Sequence, residues 1–148
     1  DVIAATIGRD ERNVPGAGAA GGLGFAIHTL LRGRIMPGIE EILEIGDFGK
    51  MIENADLVIT GEGRIDAQTL CGKAPMGVMK RAKREGVPVL GICGVMEEGI
   101  IEKMKEVGFE DILPTLPSGT SRDEGMKKEV AEKNIRETIR QYMIMHHV

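Results

Sequence analysis

The 148 residues predict an α/β fold: a three-layer α/β/α arrangement on a short parallel sheet, a Rossmann-like half, preceded by a glycine-rich, mainly helical segment. Three observations carry this. From Asp56 onward short apolar runs alternate with amphipathic stretches, a pattern that implies parallel strands joined by crossover helices. The first two runs lack polar alternation, as strands covered on both faces do. A glycine-spaced polar stretch directly follows the first run, and open α/β sheets seat ligands at the carboxyl ends of their strands. The expected boundary falls after Asn54, dividing the chain into 1–54 and 55–148.

Taken in order, Val2–Ile7 reads as a short strand and Gly8–Asn13 as a charged connection. Gly16-Ala17-Gly18-Ala19-Ala20-Gly21 fits the spacing GxGxxG. A dinucleotide fingerprint needs a strand just before it and an acidic residue ending a second strand about twenty residues on. Here a charged segment precedes it and Glu40-Glu41 fall in a helical pattern, so a nicotinamide-dependent oxidoreductase is a weak reading. Close helix packing, or a loop held near a ligand, suits these glycines better. A helix is expected from about Ala19 to Gly33, with His28 packed or at the surface. Another starts near Pro37, with Ile39, Ile42 and Leu43 on one face; Phe48, Met51, Ile52 and Ala55 continue at helical spacing.

Strand Leu57–Thr60 then leads into the polar loop, and a helix runs from Pro75 to Glu85, closed by Gly86. Strand Val87–Cys93 follows, then a helix from about Glu97 to Val107 with Ile100, Ile101, Met104 and Val107 sharing a face. Asp111–Leu113 is a third, short strand. Ser121-Arg122-Asp123-Glu124 is a capping box opening one long last helix, whose inward face reads Met126, Val130, Ile135, Ile139, Tyr142 and Met143. His146-His147 is a frayed tail. Three strands make a narrow sheet, which points to further strands in sequence not present here.

Composition narrows the function. One domain of this length buries roughly 68–70% of its unfolded surface, and 42% hydrophobic with 28% charged residues are globular values. A formal charge of −4 with no Trp, one Tyr and three Phe argues against a nucleic-acid partner, which needs clustered cations or stacking platforms. No apolar run approaches the ~18 residues of a membrane span. Cys71 and Cys93 form no CxxC pair and read as reduced thiols of a cytoplasmic protein.

The candidate site is the loop itself. Glu62, Arg64, Asp66, Gln68, Thr69 and Lys73 are interleaved with Gly61, Gly63 and Gly72, which allow positive φ and close approach of a ligand. Pro75 suits a first helical turn, whose free N–H groups, with Lys73 ahead of them, make an anion seat. The alternative is a solvated, charge-rich surface loop.

TGEGRIDAQTLCGKAP, from Thr60 to Pro75, resembles the signature of the bacterial type-I glycerate kinases, and PGAGAAGGLG, from Pro15 to Gly24, resembles their glycine-rich segment. GIEEILEIGDFGKMIENADLVITGEG and VPVLGICG are similar to that family in order and spacing. Family proteins normally begin with a segment of the form DSFKGSLSA and continue to one like PLADGGEGT; neither occurs here. The resemblance is therefore to the C-terminal portion of such an enzyme. It implies that residues 1–54 belong to a second domain lining the cleft, with Gly18, Gly21 and Gly22 near substrate. It also implies ATP and Mg²⁺ as cofactors, D-glycerate as phosphate acceptor, and the missing N-terminal part of the same enzyme as partner. A homo-oligomer is compatible with the sequence.

The residue chemistry fits that implication. The P-loop pattern GxxxxGK[ST] fails, because Ala74 follows Gly72-Lys73 and Ala67 holds the place of the first glycine. Kinase chemistry chiefly needs positioning and charge neutralisation along the transferred phosphoryl group. Glu62 and Asp66 are the carboxylates available to Mg²⁺, or Asp66 is the general base for the glycerate hydroxyl. Arg64 offers bidentate hydrogen bonds to a carboxylate or phosphate, Lys73 suits a phosphate, and Gln68 and Thr69 suit substrate hydroxyls. Arg64, Asp66 and Lys73 are the expected catalytic residues, and the isolated chain is expected to have little or no activity. The alternative is a non-catalytic α/β module that binds a small sugar acid or phosphate.

Overall fold

The computed structural model of the chain describes residues 2–146; His147, of the expected tail, lies outside them. The chain forms two compact units, residues 1–41 and 42–148. The division thus falls ahead of the expected 54/55 boundary. Its cause is Phe48 and Ile52, which pack with the core of the second unit.

In the first unit α1 (Val2–Ile7) is a helix, not the expected strand. Short apolar runs are ambiguous between the two. This one buries no residue, and Thr6 Oγ1 bonds back to Val2 O at 2.9 Å. Helix α2 (Ala19–Leu31) is interrupted near its start: Ala20, Gly21 and Gly22 all take positive φ. Regular helix resumes beyond them, and Phe25 N–H bonds Ala17 O at 2.8 Å. Gly24 packs so tightly that a Cβ there would stand 2.3 Å from Gly16 O; of the GxGxxG glycines only Gly16 is closely packed, a Cβ there standing 2.3 Å from Ile35 Cγ2, while Gly18 and Gly21 face open space. His28 is packed as expected, Nδ1 2.9 Å from Gly33 O and Nε2 3.6 Å from Glu11 Oε2.

Helix α3 (Gly38–Ile45) starts after Pro37. In the second unit α4 (Phe48–Met51) leads to three parallel strands in the order β1-β2-β3. These are β1 (Val58–Ile65), β2 (Val89–Met96) and β3 (Asp111–Pro114). Helix α5 (Ala74–Arg84) connects the first pair and α6 (Ile100–Val107) the second. The α/β class and parallel sheet are as the alternation predicts. The central strand begins after Pro88, which has no N–H to donate but whose O accepts from Val58 N–H at 2.9 Å, and pairs from Val58↔Val89 to Ile65↔Met96. Val89, Cys93, Met79, Met104 and Ile112 are buried in one cluster with Val58 and Ile65, each large apolar side chain contributing about 1.5–3 kcal/mol.

Two expectations are corrected here. The first strand does not stop at Thr60 but runs on through Gly61, Glu62, Gly63 and Arg64. The expected last helix is two, α7 (Arg122–Gly125) and α8 (Lys128–His146). Ser121 caps the former, its Oγ accepting from Glu124 N–H at 3.2 Å. Of the expected inward face only Tyr142 is buried, whereas Met126 is 69% exposed and Ile135 and Met143 stay accessible. Tyr142 also stacks on His146 of the same helix, with ring centroids 4.2 Å apart.

Candidate functional site

Glycine at 61 serves strand pairing, and Gly63 lies on the same regular strand, not in a flexible loop. A Cβ at Gly61 would meet Ile92 Cγ1 at 2.7 Å and Ile92 O at 3.0 Å. Across the pair, a Cβ at Gly94 would stand 2.8 Å from Gly63 O. Neither Gly61 nor Gly63 takes positive φ; of the three glycines expected to do so, only Gly72 does, at 101°. The two strands therefore approach closely and carry Glu62 and Arg64 on regular backbone to the carboxyl end of the sheet, where the wholly buried Ile65 fixes the end of β1.

After Ile65 the chain turns sharply. Asp66 Oδ1 accepts from Gln68 N–H at 3.0 Å, a side-chain turn that Asp favours, and Thr69 N–H bonds Asp66 O at 2.9 Å. A single 3₁₀ turn, Thr69–Cys71, follows. Thr69 has no exposed surface. Its Oγ1 donates to Glu62 Oε2 at 3.2 Å and accepts from Asp66 N–H at 3.3 Å. Buried in this way, Thr69 braces the two carboxylate residues and is not open to a substrate hydroxyl.

Four charged side chains meet here. Lys73 Nζ lies 3.6 Å from Glu62 Oε1 and 3.6 Å from Asp66 Oδ1. Arg64 Nε lies 3.4 Å from Asp66 Oδ2, its side chain 62% exposed. Partial burial pushes the Asp66 carboxyl up. The Lys73 charge opposes this, together with hydrogen bonds from the Gln68 and Thr69 N–H groups and from Lys73, and the carboxyl is held below its ordinary value. Lys73 is also the residue just before α5, but the helix end offers less to an anion than expected. Pro75 has no N–H, and those of Met76 and Gly77 bond Lys73 O at 3.0 and 3.3 Å.

Arg64, Asp66 and Lys73 are thus gathered, with Glu62, on an open shelf at the strand end. Two concavities lie elsewhere. One of about 840 Å³ follows Ile135, Ile139 and Met143 on α8, and one of about 490 Å³ lies between Met76, Met79 and Val107. Gln68 contributes its backbone N–H. Gly18, Gly21 and Gly22 belong to the first unit, where a Cβ on any of them would meet nothing within 4 Å. Cys71 is exposed, its Sγ 3.8 Å from Ala67 O.

Sequence reasoning missed Glu97. Its N–H donates to Ile65 O at 2.9 Å and its Oε2 accepts from Ala67 N–H at 3.2 Å, so it fastens the site turn to the end of β2. The signal was available: a Glu directly after a parallel strand stands beside whatever follows its neighbour.

A sequence model described as the glycerate kinase family matches residues 1–147. The chain belongs to that family. It is 41% identical over 140 residues to a glycerate kinase of Halalkalibacterium halodurans, covering 91% of this chain and 37% of that protein. It is 46% identical over 129 residues to a glycerate kinase of Bacillus cereus, covering 87% and 33%. A glycerate 2-kinase of Escherichia coli is 37% identical over 127 residues, covering 86% and 33%. The crystal structure of a protein assigned as glycerate kinase 2 from Salmonella typhimurium LT2 superposes on 99% of this chain with a TM-score of 0.69 and 31% identity, using 36% of that chain. The chain therefore spans about a third of the length of the glycerate kinases it matches. Among the described residues no helix is long and apolar enough to cross a membrane.

Proposed function

We propose that this chain is the C-terminal portion of a cytoplasmic, ATP-dependent glycerate kinase that transfers the γ-phosphoryl group of ATP to a hydroxyl of D-glycerate, giving phosphoglycerate. The observation that carries the reading is the convergence of Arg64, Asp66 and Lys73 at the carboxyl end of a parallel strand in a chain of this family. Phosphoryl transfer asks the protein for positioning and charge neutralisation, and these side chains are of the right type. Among the described residues Arg64 is tied through Nε, which leaves the outer face of its guanidinium for a carboxylate or phosphate. A carboxyl held below its ordinary value, as that of Asp66 is, is ionised at neutral pH and ready to accept a hydrogen bond from the acceptor hydroxyl. It is a weak resting place for a proton, so its proposed part is to orient that hydroxyl. Gly61, Gly63 and the Gln68 backbone shape the shelf. Gly18, Gly21 and Gly22 are assigned to substrate by family resemblance alone. Mg²⁺, if bound with the nucleotide, would supply further neutralisation of phosphate charge.

In an enzyme of full family length, Arg64→Ala and Asp66→Asn are each expected to lower kcat/KM by at least about a hundredfold. Near-normal activity in both variants would remove the cluster from the mechanism. The 148-residue chain alone is expected to show little or no turnover of ATP and D-glycerate. A non-catalytic module that binds a sugar acid is the competing reading, and calorimetry separates the two: binding of one organic acid without any response to ATP favours the module.

A further inference from the structure

Glu62 and Asp66 are the carboxylates the resemblance would offer to Mg²⁺, and their surroundings give them other work. Every one of their four oxygens already faces a donor. Glu62 Oε1 faces Lys73 Nζ at 3.6 Å and Oε2 accepts from Thr69 Oγ1 at 3.2 Å. Asp66 Oδ1 accepts from Gln68 N–H at 3.0 Å and faces Lys73 Nζ at 3.6 Å, and Oδ2 faces Arg64 Nε at 3.4 Å. The ammonium stands between the two carboxylates, equidistant from both. No third His, Cys, Asp or Glu among the described residues joins them in a metal-binding group.

We infer that Glu62 and Asp66 are positioning residues for Lys73, which occupies the place between them that a divalent cation would otherwise take, so that any Mg²⁺ of the reaction is not bound by this pair. Mg²⁺ demands near-ideal octahedral geometry with ligands at about 2.0–2.1 Å. To reach it, both carboxylates would have to close in from the distance they keep around Nζ while expelling the ammonium. Thr69, itself wholly buried, holds Glu62 against that movement, and the Asp66 side-chain turn holds its partner. The compact seat fits one monovalent, hydrogen-bonding cation, which Lys supplies without a dehydration step. This deepens the kinase reading, and rests on it only in expecting a divalent cation to take part at all.

The test uses Mn²⁺ as the probe and measures no turnover, so its failure is distinct from failure of the kinase reading. Amide signals of Ala67, Gln68 and Thr69 in the 148-residue chain are followed as Mn²⁺ is added. In the parent chain they are expected to broaden no earlier than amides beside other surface carboxylates. In Lys73→Met they are expected to broaden at a Mn²⁺ concentration at least about tenfold lower, since the metal no longer competes with two ion pairs. Lys73→Arg, which keeps the charge, is expected to follow the parent. Equal or earlier broadening in the parent than in Lys73→Met would overturn the inference. Should Lys73→Met fail to fold, the parent decides alone: a saturable shift of both the Glu62 and Asp66 carboxylate carbons on adding Mg²⁺ overturns it, and unchanged shifts support it.

Discussion

Thr69→Val tests whether the hydroxyl of a buried residue, and not its bulk, holds the site together. The substitution keeps the side-chain volume and replaces Oγ1, which lies 3.2 Å from Glu62 Oε2 and 3.3 Å from Asp66 N. Glu62 is partly exposed and recovers water at the freed oxygen, so that loss is small. The Asp66 N–H, in a part-buried bond, also loses its acceptor, and a donor left unsatisfied by burial costs about 1–3 kcal/mol. The added methyl group returns about 0.8 kcal/mol by burial, leaving a net loss of about 0.2–2.2 kcal/mol, centred a little above 1. Thr69→Ser supplies the comparison: it keeps both hydrogen bonds and gives up one buried methyl, about 0.8 kcal/mol. Urea unfolding of the three proteins is expected to rank them parent, Ser, Val. For a chain of this size each kcal/mol lowers the melting temperature by roughly 2–4 °C. A Val variant as stable as the parent, or a Ser variant weaker than the Val, would show that Thr69 is a packing residue and that its hydroxyl braces nothing.

Gly94→Ala places a Cβ 2.8 Å from Gly63 O, a backbone atom that moves only if the strands part; a loss of about 1–3 kcal/mol is expected, with amide shifts concentrated at 62–65, and unchanged stability would refute the close-approach account. Cys93 is buried and its thiol is pushed up to about 11, while Cys71 is exposed. A thiol reagent at mildly alkaline pH is expected to label one cysteine promptly and the second only on unfolding. The sign of the linkage follows from the raised value: the fold favours the neutral thiol, so this contribution is intact below the ordinary 9.0 and is lost as pH rises from there through about 11. Prompt labelling of both thiols in the folded protein would contradict it.

The parallel sheet was legible because its signal is local: apolar runs of strand length between amphipathic stretches survive any context. The end of β1 was not, since Gly61 and Gly63 read as loop residues, while the partners of the close approach, Ile92 against Gly61 and Gly94 against Gly63 O, lie about thirty positions away. Residue types at the site announced the cluster of Arg64, Asp66 and Lys73, yet could not say that Thr69 would turn inward, because a Thr in a polar segment looks the same whether it faces water or a carboxylate. Glu97 was hidden for a similar reason, its partner Ala67 being thirty residues earlier. The last helix misled in the opposite direction. Its spacing of Ile135, Ile139 and Met143 is that of a buried stripe, and pattern alone records that a face wants burial, not whether anything in this chain supplies it.

Charge balance explains why the shelf should not work alone. Arg64 and Lys73 carry two positive charges, and Glu62 and Asp66 cancel both at 3.4–3.6 Å, before Glu97 adds a further negative charge at the same turn. An anionic substrate therefore gains little from net field and must rely on the free face of Arg64, a side chain 62% exposed to water. Exposed ion pairs contribute about 0.2–1 kcal/mol, whereas enzymes lower barriers by about 8–23 kcal/mol. That gap closes only if water is excluded and further positive charge is brought to the phosphates, on Mg²⁺ or on side chains outside the third of the family length that this chain spans. On the kinase reading proposed above, the four-residue, internally braced cluster would serve as a fixed orienting surface, with the attraction for the phosphoryl group supplied by groups beyond it.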